Sequence, residues 1–290
     1  MKIAKVTKEN EETFGIIKGE LFFGLNSNSK NKIPTILDLL ILINQKITNS
    51  SECISEVESI FEDKGHSLTS IKLLPPTTKK NKIICVGINY PKFHNGILTK
   101  KPDHIILFSK FYDTLVGSEQ PLLIPTGRAE QSFDYEGEVA VVIGTPGFNI
   151  AEEHAAQHIV GFTLFNDGSV REWQTHSIQA GKNFYKSGSC GPFIVTKDEI
   201  ISYDELNFKT TLNGKLVQNG KLYKMFFHIN KIISYISNVI PLETGDIIAT
   251  GSPEGTGASQ APKRFLKEGD TVEISSDALG TLTNTVKKMS

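Results

Sequence analysis

Cysteine is scarce and poorly placed for cross-linking. Its three copies, Cys53, Cys85 and Cys190, are odd in number, far apart and without CxxC spacing. That argues against a disulfide framework and a thiolate zinc site, and for a reducing compartment. An excess of charge of one sign is also missing, since 31 basic against 32 acidic residues leave a formal net charge of −1. No global field then attracts nucleic acid or an anionic membrane, and the densest basic run (Lys79, Lys80, Lys82) is short. Long apolar runs are lacking too. The longest, Ile36–Ile43, contains Asp38 and is far too short to span a bilayer. The opening MKIAKVTKENEETF is charged throughout, unlike a signal peptide. These absences leave a cytoplasmic globular protein of one large or two modest domains, with 39% apolar residues to build a core.

What is present is mostly strand signal. Residues 1–30 alternate in the strand manner, punctuated by Gly15, Gly19 and Gly24. The spacing predicts a helix over Thr35–Ile43, capped near Thr35, and a weaker one over Ser51–Gly65. Leu73–Thr78 (LLPPTT) reads as a linker, closing a small N-terminal α/β domain over 1–75 before a second domain over 76–290. Beyond it, strands are expected at Lys82–Val86, His104–Phe108, Leu122–Pro125, Gly161–Asn166, Gly191–Thr196, Leu206–Leu212, Asp246–Thr250 and Thr271–Ile274. Helices are expected at Ala151–His158 and Phe226–Val239. Many strands at short intervals with few helices indicate an α+β, mostly β, rolled architecture and not a doubly wound sheet.

The stretch Phe133–Gly144 (FDYEGEVAVVIG) carries the chemistry. Glu136 and Glu138 stand two apart at the start of an apolar strand, so they share a face at roughly 6.5–7 Å. A like-charge pair of that kind needs a cation, a proton or full solvation. A hard divalent cation satisfies it, and a solvated strand-end pair is the plain alternative. Asp167, at the end of the strand Gly161–Asn166, is the natural third ligand, with Gly168 after it to let the backbone approach whatever is bound. Three carboxylates suit Mg²⁺ with an open face; an ordinary turn aspartate is the competing reading.

Other constellations are weaker. His154 and His158 (HAAQH) have the spacing of a zinc helix but lack the HExxH glutamate. Cys190, in GSCGP, has no nucleophile motif around it. The loop Gly251–Gly257 lacks the Lys-Ser/Thr of a phosphate loop, although its backbone and Thr250 could face a small anion.

Together these segments resemble the fumarylacetoacetate hydrolase family over most of Lys82–Val286. KIICVGINY resembles its opening strand, and Phe108–Gly117 its Phe-x-Lys segment. DYEGEVAVVIG is similar to its ExE metal strand, and NDGSVREWQ to the segment of the third acidic ligand. Gly181–Phe184, LETGDIIATGSPEGTG and FLKEGDTVEISSDALGTLTN resemble its later motifs. The resemblance implies a mixed β-roll catalytic domain, usually a homodimer, with Mg²⁺ (or Mn²⁺) on Glu136, Glu138 and Asp167. It implies a small 2-oxo acid substrate chelated to the metal, with Lys182 beside the developing enolate. Tyr90, Lys110, Arg171 and Thr250 become candidates for substrate anchoring. C–C bond hydrolysis of acylpyruvate-like acids is the expected reaction, with His94 as candidate base. One departure stands out: many members carry NYxxHxxE, whereas here His94 comes one residue late and Ile97 holds the glutamate position. An isomerase or decarboxylase acting on an oxo-diacid, or a catalytically weak metal or small-molecule binder, is therefore the alternative.

Overall fold

The computed structural model describes residues 1–49, 57–94 and 97–289; the side chains of residues 49 and 93–97 lie outside the described residues. The fold begins with turn chemistry. Glu9 and Asn10 both have positive φ, 52° and 68°, as a two-residue type I′ hairpin requires. They fold β1 (Lys2–Lys8) onto β2 (Glu11–Lys18), and β3 (Leu21–Gly24) follows. The next strands are β4 (His66–Ser67), β5 (Lys72–Leu74), β6 (Ile83–Gly87), the pair β7 (Phe93–His94) and β8 (Ile97–Leu98), then β9 (Ile106–Lys110). They lead to β10 (Leu115–Val116), β11 (Leu122–Ile124), β12 (Phe133–Asp134), β13 (Gly137–Ile143), β14 (Ile159–Asn166), β15 (Ser169–Val170) and β16 (Gly188–Thr196). The chain closes with β17 (Asn207–Leu212), β18 (Lys215–Lys221), β19 (Ile247–Ala249), β20 (Thr271–Ser276) and β21 (Gly280–Lys288).

Among the described residues, twelve strands form one sheet in the order β4-β3-β2-β1-β16-β14-β13-β19-β6-β9, with β5 on β1 and β10 on β16. A five-stranded sheet, β11-β21-β20-β17-β18, packs beside it. Sequence explains the difference between the two. β13 and β14 are near-continuous apolar runs buried on both faces, while β17 and β20 alternate buried and more exposed positions.

Alternate residues of β13 feed two cores. Val139, Val141 and Ile143 meet Phe162, Leu164 and the helix Ile229–Val239, whose Ile229, Ile232, Ile233 and Ile236 form one buried stripe. Ala140 and Val142 meet Ile247, Ala249 and Leu39, Leu40 and Ile43 of the helix Ile36–Asn49. The first 75 residues thus add strands to the large sheet and one helix to its face.

The helix expected over Thr35–Ile43 extends to Asn49. Thr35 and Asp38 cap it reciprocally, Asp38 N–H donating to Thr35 Oγ1 (3.3 Å) and Thr35 N–H to Asp38 Oδ2 (2.9 Å). The helix expected over Ser51–Gly65 falls largely outside the described residues. Ala151–His158 is a 3₁₀ run, Glu152–His158, because it buries only Ala155 and has no apolar face to hold an α-helix. In that geometry His154 and His158 do not share a face, and His158 Nδ1 is engaged by Thr145 O at 2.8 Å. No described helix is long and apolar enough to cross a membrane.

Candidate metal and substrate site

Two neighbouring strands, β13 and β14, assemble the acidic cluster. In the β13–β14 ladder Gly137 faces Asn166, so Glu136 and Asp167 flank the same rung, joined by Asp167 N–H donating to Glu136 O at 2.9 Å. Glu138 projects from β13 itself. The intervening residue must be glycine: a Cβ on Gly137 would lie 2.1 Å from Thr210 Oγ1. One carboxylate oxygen from each of Glu136, Glu138 and Asp167 falls within 4.8 Å of the others, and all three residues are buried.

Their surroundings treat the carboxylates unequally. Glu136 Oε1 accepts from Ser169 Oγ (2.9 Å), Arg171 Nη1 (2.6 Å) and Lys182 Nζ (2.8 Å), while Oε2 accepts from Ser252 Oγ (2.7 Å). Burial opposes its ionisation, but Arg171, Lys182 and Lys92 outweigh burial and hold it well below the usual carboxylate range. Glu138 accepts from the Gly251 N–H (2.8 Å); burial pushes its carboxyl well above that range, reinforced by Asp167 and Glu136. Asp167 Oδ1 is buried without a hydrogen bond, 3.0 Å from Lys110 Nζ. Hard oxygen donors, buried, clustered and short of positive charge at Glu138, fit a hard divalent cation.

The basic residues divide into two roles. Lys182 Nζ bridges Glu136 Oε1 and Asp167 Oδ2 (2.5 Å); burial works against its charge, but Asp167 and Glu136 more than compensate and raise its pKa. Lys110 is buried behind the site, on Asp167 Oδ1, Gly168 O (2.9 Å) and Lys182 O (2.5 Å), so the structure places it as a support of Asp167. Arg171 opens onto the cavity. Its Nε donates to Asp134 Oδ2 (2.8 Å) and its Nη1 to Glu136 and Gln174 (3.2 Å), whereas Nη2 is buried without a partner.

Of the other candidates, Thr250 Oγ1 donates to Val139 O at 2.8 Å and is spent on the sheet. Tyr90 is buried in the core, its hydroxyl unpartnered and acted on by the charge of Glu138. The His94 backbone lies in β7, but its side chain is outside the described residues. Gly168 serves a different approach from the one expected: a Cβ there would meet Ser187 O at 1.7 Å, so the close contact is with the chain's own backbone.

Sequence reasoning passed over Asp134, Ser169, Ser252 and Lys92. Asp134 accepts from the Tyr135, Gly257 and Ala258 N–H groups and from Arg171, locking the Gly251–Gly257 loop to the arginine. Its signal is its place in the sequence, two residues before the ExE dyad. Lys92 is held by Ser252 Oγ at 3.4 Å; burial lowers its pKa, with Glu136 opposing. Nothing in its sequence context marks it.

These groups line a cavity of about 290 Å³. Lys92, Arg171, Lys182 and the carboxylates Glu136 and Asp167 meet an apolar side built from Ile106, Phe108 and Ile178. Ile88 completes it in a left-handed conformation (φ 51°), which costs a β-branched residue about 1–2 kcal/mol. A larger concavity of about 520 Å³, near Lys263–Lys267, holds none of the triad.

Comparison with known proteins agrees with this architecture. The mitochondrial oxaloacetate tautomerase fahd2 of Xenopus laevis is 37% identical over 239 residues, 80% of this chain and 74% of that one. The structure of a fumarylacetoacetate hydrolase from psychrophilic Exiguobacterium antarcticum is 28% identical, covers 100% of both chains and superposes with a TM-score of 0.80. A 2-hydroxyhepta-2,4-diene-1,7-dioate isomerase from Mycobacterium marinum is 26% identical, with 99% of this chain and 98% of that one covered and a TM-score of 0.74. Residues 82–287, which hold the whole acidic cluster, match the model of the fumarylacetoacetate (FAA) hydrolase C-terminal domain. The chain is an enzyme of the fumarylacetoacetate hydrolase family.

Proposed function

We propose that the protein catalyses metal-dependent enolisation of a small 2-oxo acid, as a keto–enol tautomerase or isomerase, with Mg²⁺ or Mn²⁺ held by Glu136, Glu138 and Asp167. The observation that carries this reading is that Glu136 and Asp167 of the buried triad meet Lys182 and Arg171 in one cavity, with one nitrogen of the arginine left without a partner. When bound, the cation supplies Lewis-acid polarisation of the 2-oxo carbonyl. Lys182 puts a fixed positive charge beside the oxygen on which charge develops, in a site already shielded from water. Arg171 Nη2 is free to orient a carboxylate, and Phe108 and Ile106 exclude solvent from the reacting carbons. Enolisation needs no positioned water, which suits a chain whose lid departs from NYxxHxxE. The tautomerase named among its relatives supports the same reading.

Hydrolysis of an acylpyruvate is the second reading, favoured by the likeness to the Exiguobacterium hydrolase. Purified protein with Mg²⁺ or with EDTA separates the two. We expect Mg²⁺-dependent acceleration of oxaloacetate keto–enol exchange and no release of pyruvate from acetylpyruvate. Mg²⁺-dependent pyruvate release would replace this reading with hydrolysis, and inactivity on both would leave a binding protein. A cytoplasmic homodimer belongs to the same proposal, and sedimentation of the purified protein tests the assembly.

A further inference from the structure

Lysine is seldom buried without a counter-ion. Lys110 and Lys182 obey that rule, sitting 3.0 Å and 2.5 Å from Asp167 oxygens. Lys92 does not. It lines the cavity, yet among the described residues no carboxylate lies within ion-pair distance of it, and its partner is the Ser252 hydroxyl at 3.4 Å. That hydroxyl donates onward to Glu136 Oε2 at 2.7 Å, which fixes where the ammonium stands relative to the acidic cluster. Arg171 lines the same cavity, and its Nη2 is buried there without a partner of its own.

Resting on the 2-oxo acid reading, we propose that Lys92, backed by the Arg171 guanidinium, forms a second anion subsite, which takes the far carboxylate of a short 2-oxo dicarboxylate. Charge balance favours a dianion. Asp134, Glu136, Glu138 and Asp167 are matched one for one by Lys92, Lys110, Arg171 and Lys182. A divalent cation on the triad leaves an excess of two positive charges, which a dicarboxylate neutralises and a monocarboxylate only halves. The volume of about 290 Å³ readily admits an acid of four or five carbons. Lys92 is thus a specificity-determining residue: it reads the end of the substrate away from the metal.

The test is calorimetric binding to Mg²⁺-loaded protein. Oxaloacetate and 2-oxoglutarate are compared with the monocarboxylates 2-oxobutyrate and 2-oxovalerate. Wild type should prefer a diacid by about tenfold or more, the range of a charge-assisted hydrogen bond. Lys92→Met should weaken diacid binding by about ten- to a hundredfold and leave the monoacids within about twofold, while Lys92→Arg keeps the preference. Equal weakening of both classes by Lys92→Met would make the residue structural and overturn the subsite. So would equal binding of both classes by wild type. Wild type that binds none of the four acids would overturn the 2-oxo acid reading along with it.

Discussion

Replacing Lys182 by methionine removes one charge and little volume. The ammonium bridges Glu136 and Asp167 at 2.8 Å and 2.5 Å, and its side chain is 4% exposed. A methionine stem can keep the packing near the Phe108 ring, whose centroid is 5.2 Å from Nζ. What is lost is therefore almost purely electrostatic. Breaking a buried pair costs about 3–5 kcal/mol because the other charge stays behind. Here the lower end applies, since Arg171 still holds Glu136 and Lys110 still holds Asp167. For a chain of this length about 3 kcal/mol corresponds to a fall in Tm of roughly 5 °C. The fall should be largest in EDTA. Saturating Mg²⁺ brings its own positive charge to the same carboxylates and should recover about half of the loss. Thermal unfolding of wild type and Lys182→Met in both conditions gives the four numbers needed. Equal depression with and without Mg²⁺ would refute the idea that lysine and metal compensate the same charges.

Glu138 predicts a pH dependence. Its folded pKa is raised by burial and by Asp167 and Glu136, so in metal-free protein its stabilising contribution is full below the unfolded value and fades as pH rises through the folded one. Metal binding needs the ionised form, so Mg²⁺ affinity should rise by up to about tenfold per pH unit below the folded value, with uptake of metal releasing protons; affinity that stays flat across that range would contradict this. Gly168→Ala should lower stability by about 3 kcal/mol or more and displace Asp167, because the new Cβ meets Ser187 backbone at 1.7 Å. Wild-type Tm and Mg²⁺ affinity in that variant would show that the backbone there can yield.

Period-two logic was enough to put Glu136 and Glu138 on one face of a buried strand, and the end of an apolar run marked Asp167. Those signals are local, and so they can be read from a single chain. Lys110 illustrates what cannot be read: its three acceptors lie 57 to 72 positions away in the chain, and only the ladder between β6 and β9 brings it behind Asp167. Ser252 and Lys92 share that limitation. The helix expected at 151–158 failed for a different reason. Its periodic pattern was too short to bury more than Ala155, so burial and not periodicity decided its geometry. The strand pattern of residues 1–30 was legible, but its attachment to β16 was not, since nothing in Lys2 or Ile3 names Val195 or Ile194 as partners.

The sheet order has a consequence for how such a protein can change over time. Glu138, Asp167 and the Gly251 N–H that holds Glu138 come from β13, β14 and β19 or the residues just beyond them, three adjacent strands in the interior of the twelve-stranded sheet. Their ladders open only when the whole sheet does, so backbone amides there should exchange with solvent at the rate of global unfolding. Lys92 sits instead on the connection after β6, outside any ladder. Inherited substitutions at Lys92 meet little resistance from the fold, whereas substitutions under the carboxylates meet nearly all of it. Selection can therefore retune which acid is accepted without disturbing the chemistry done to it.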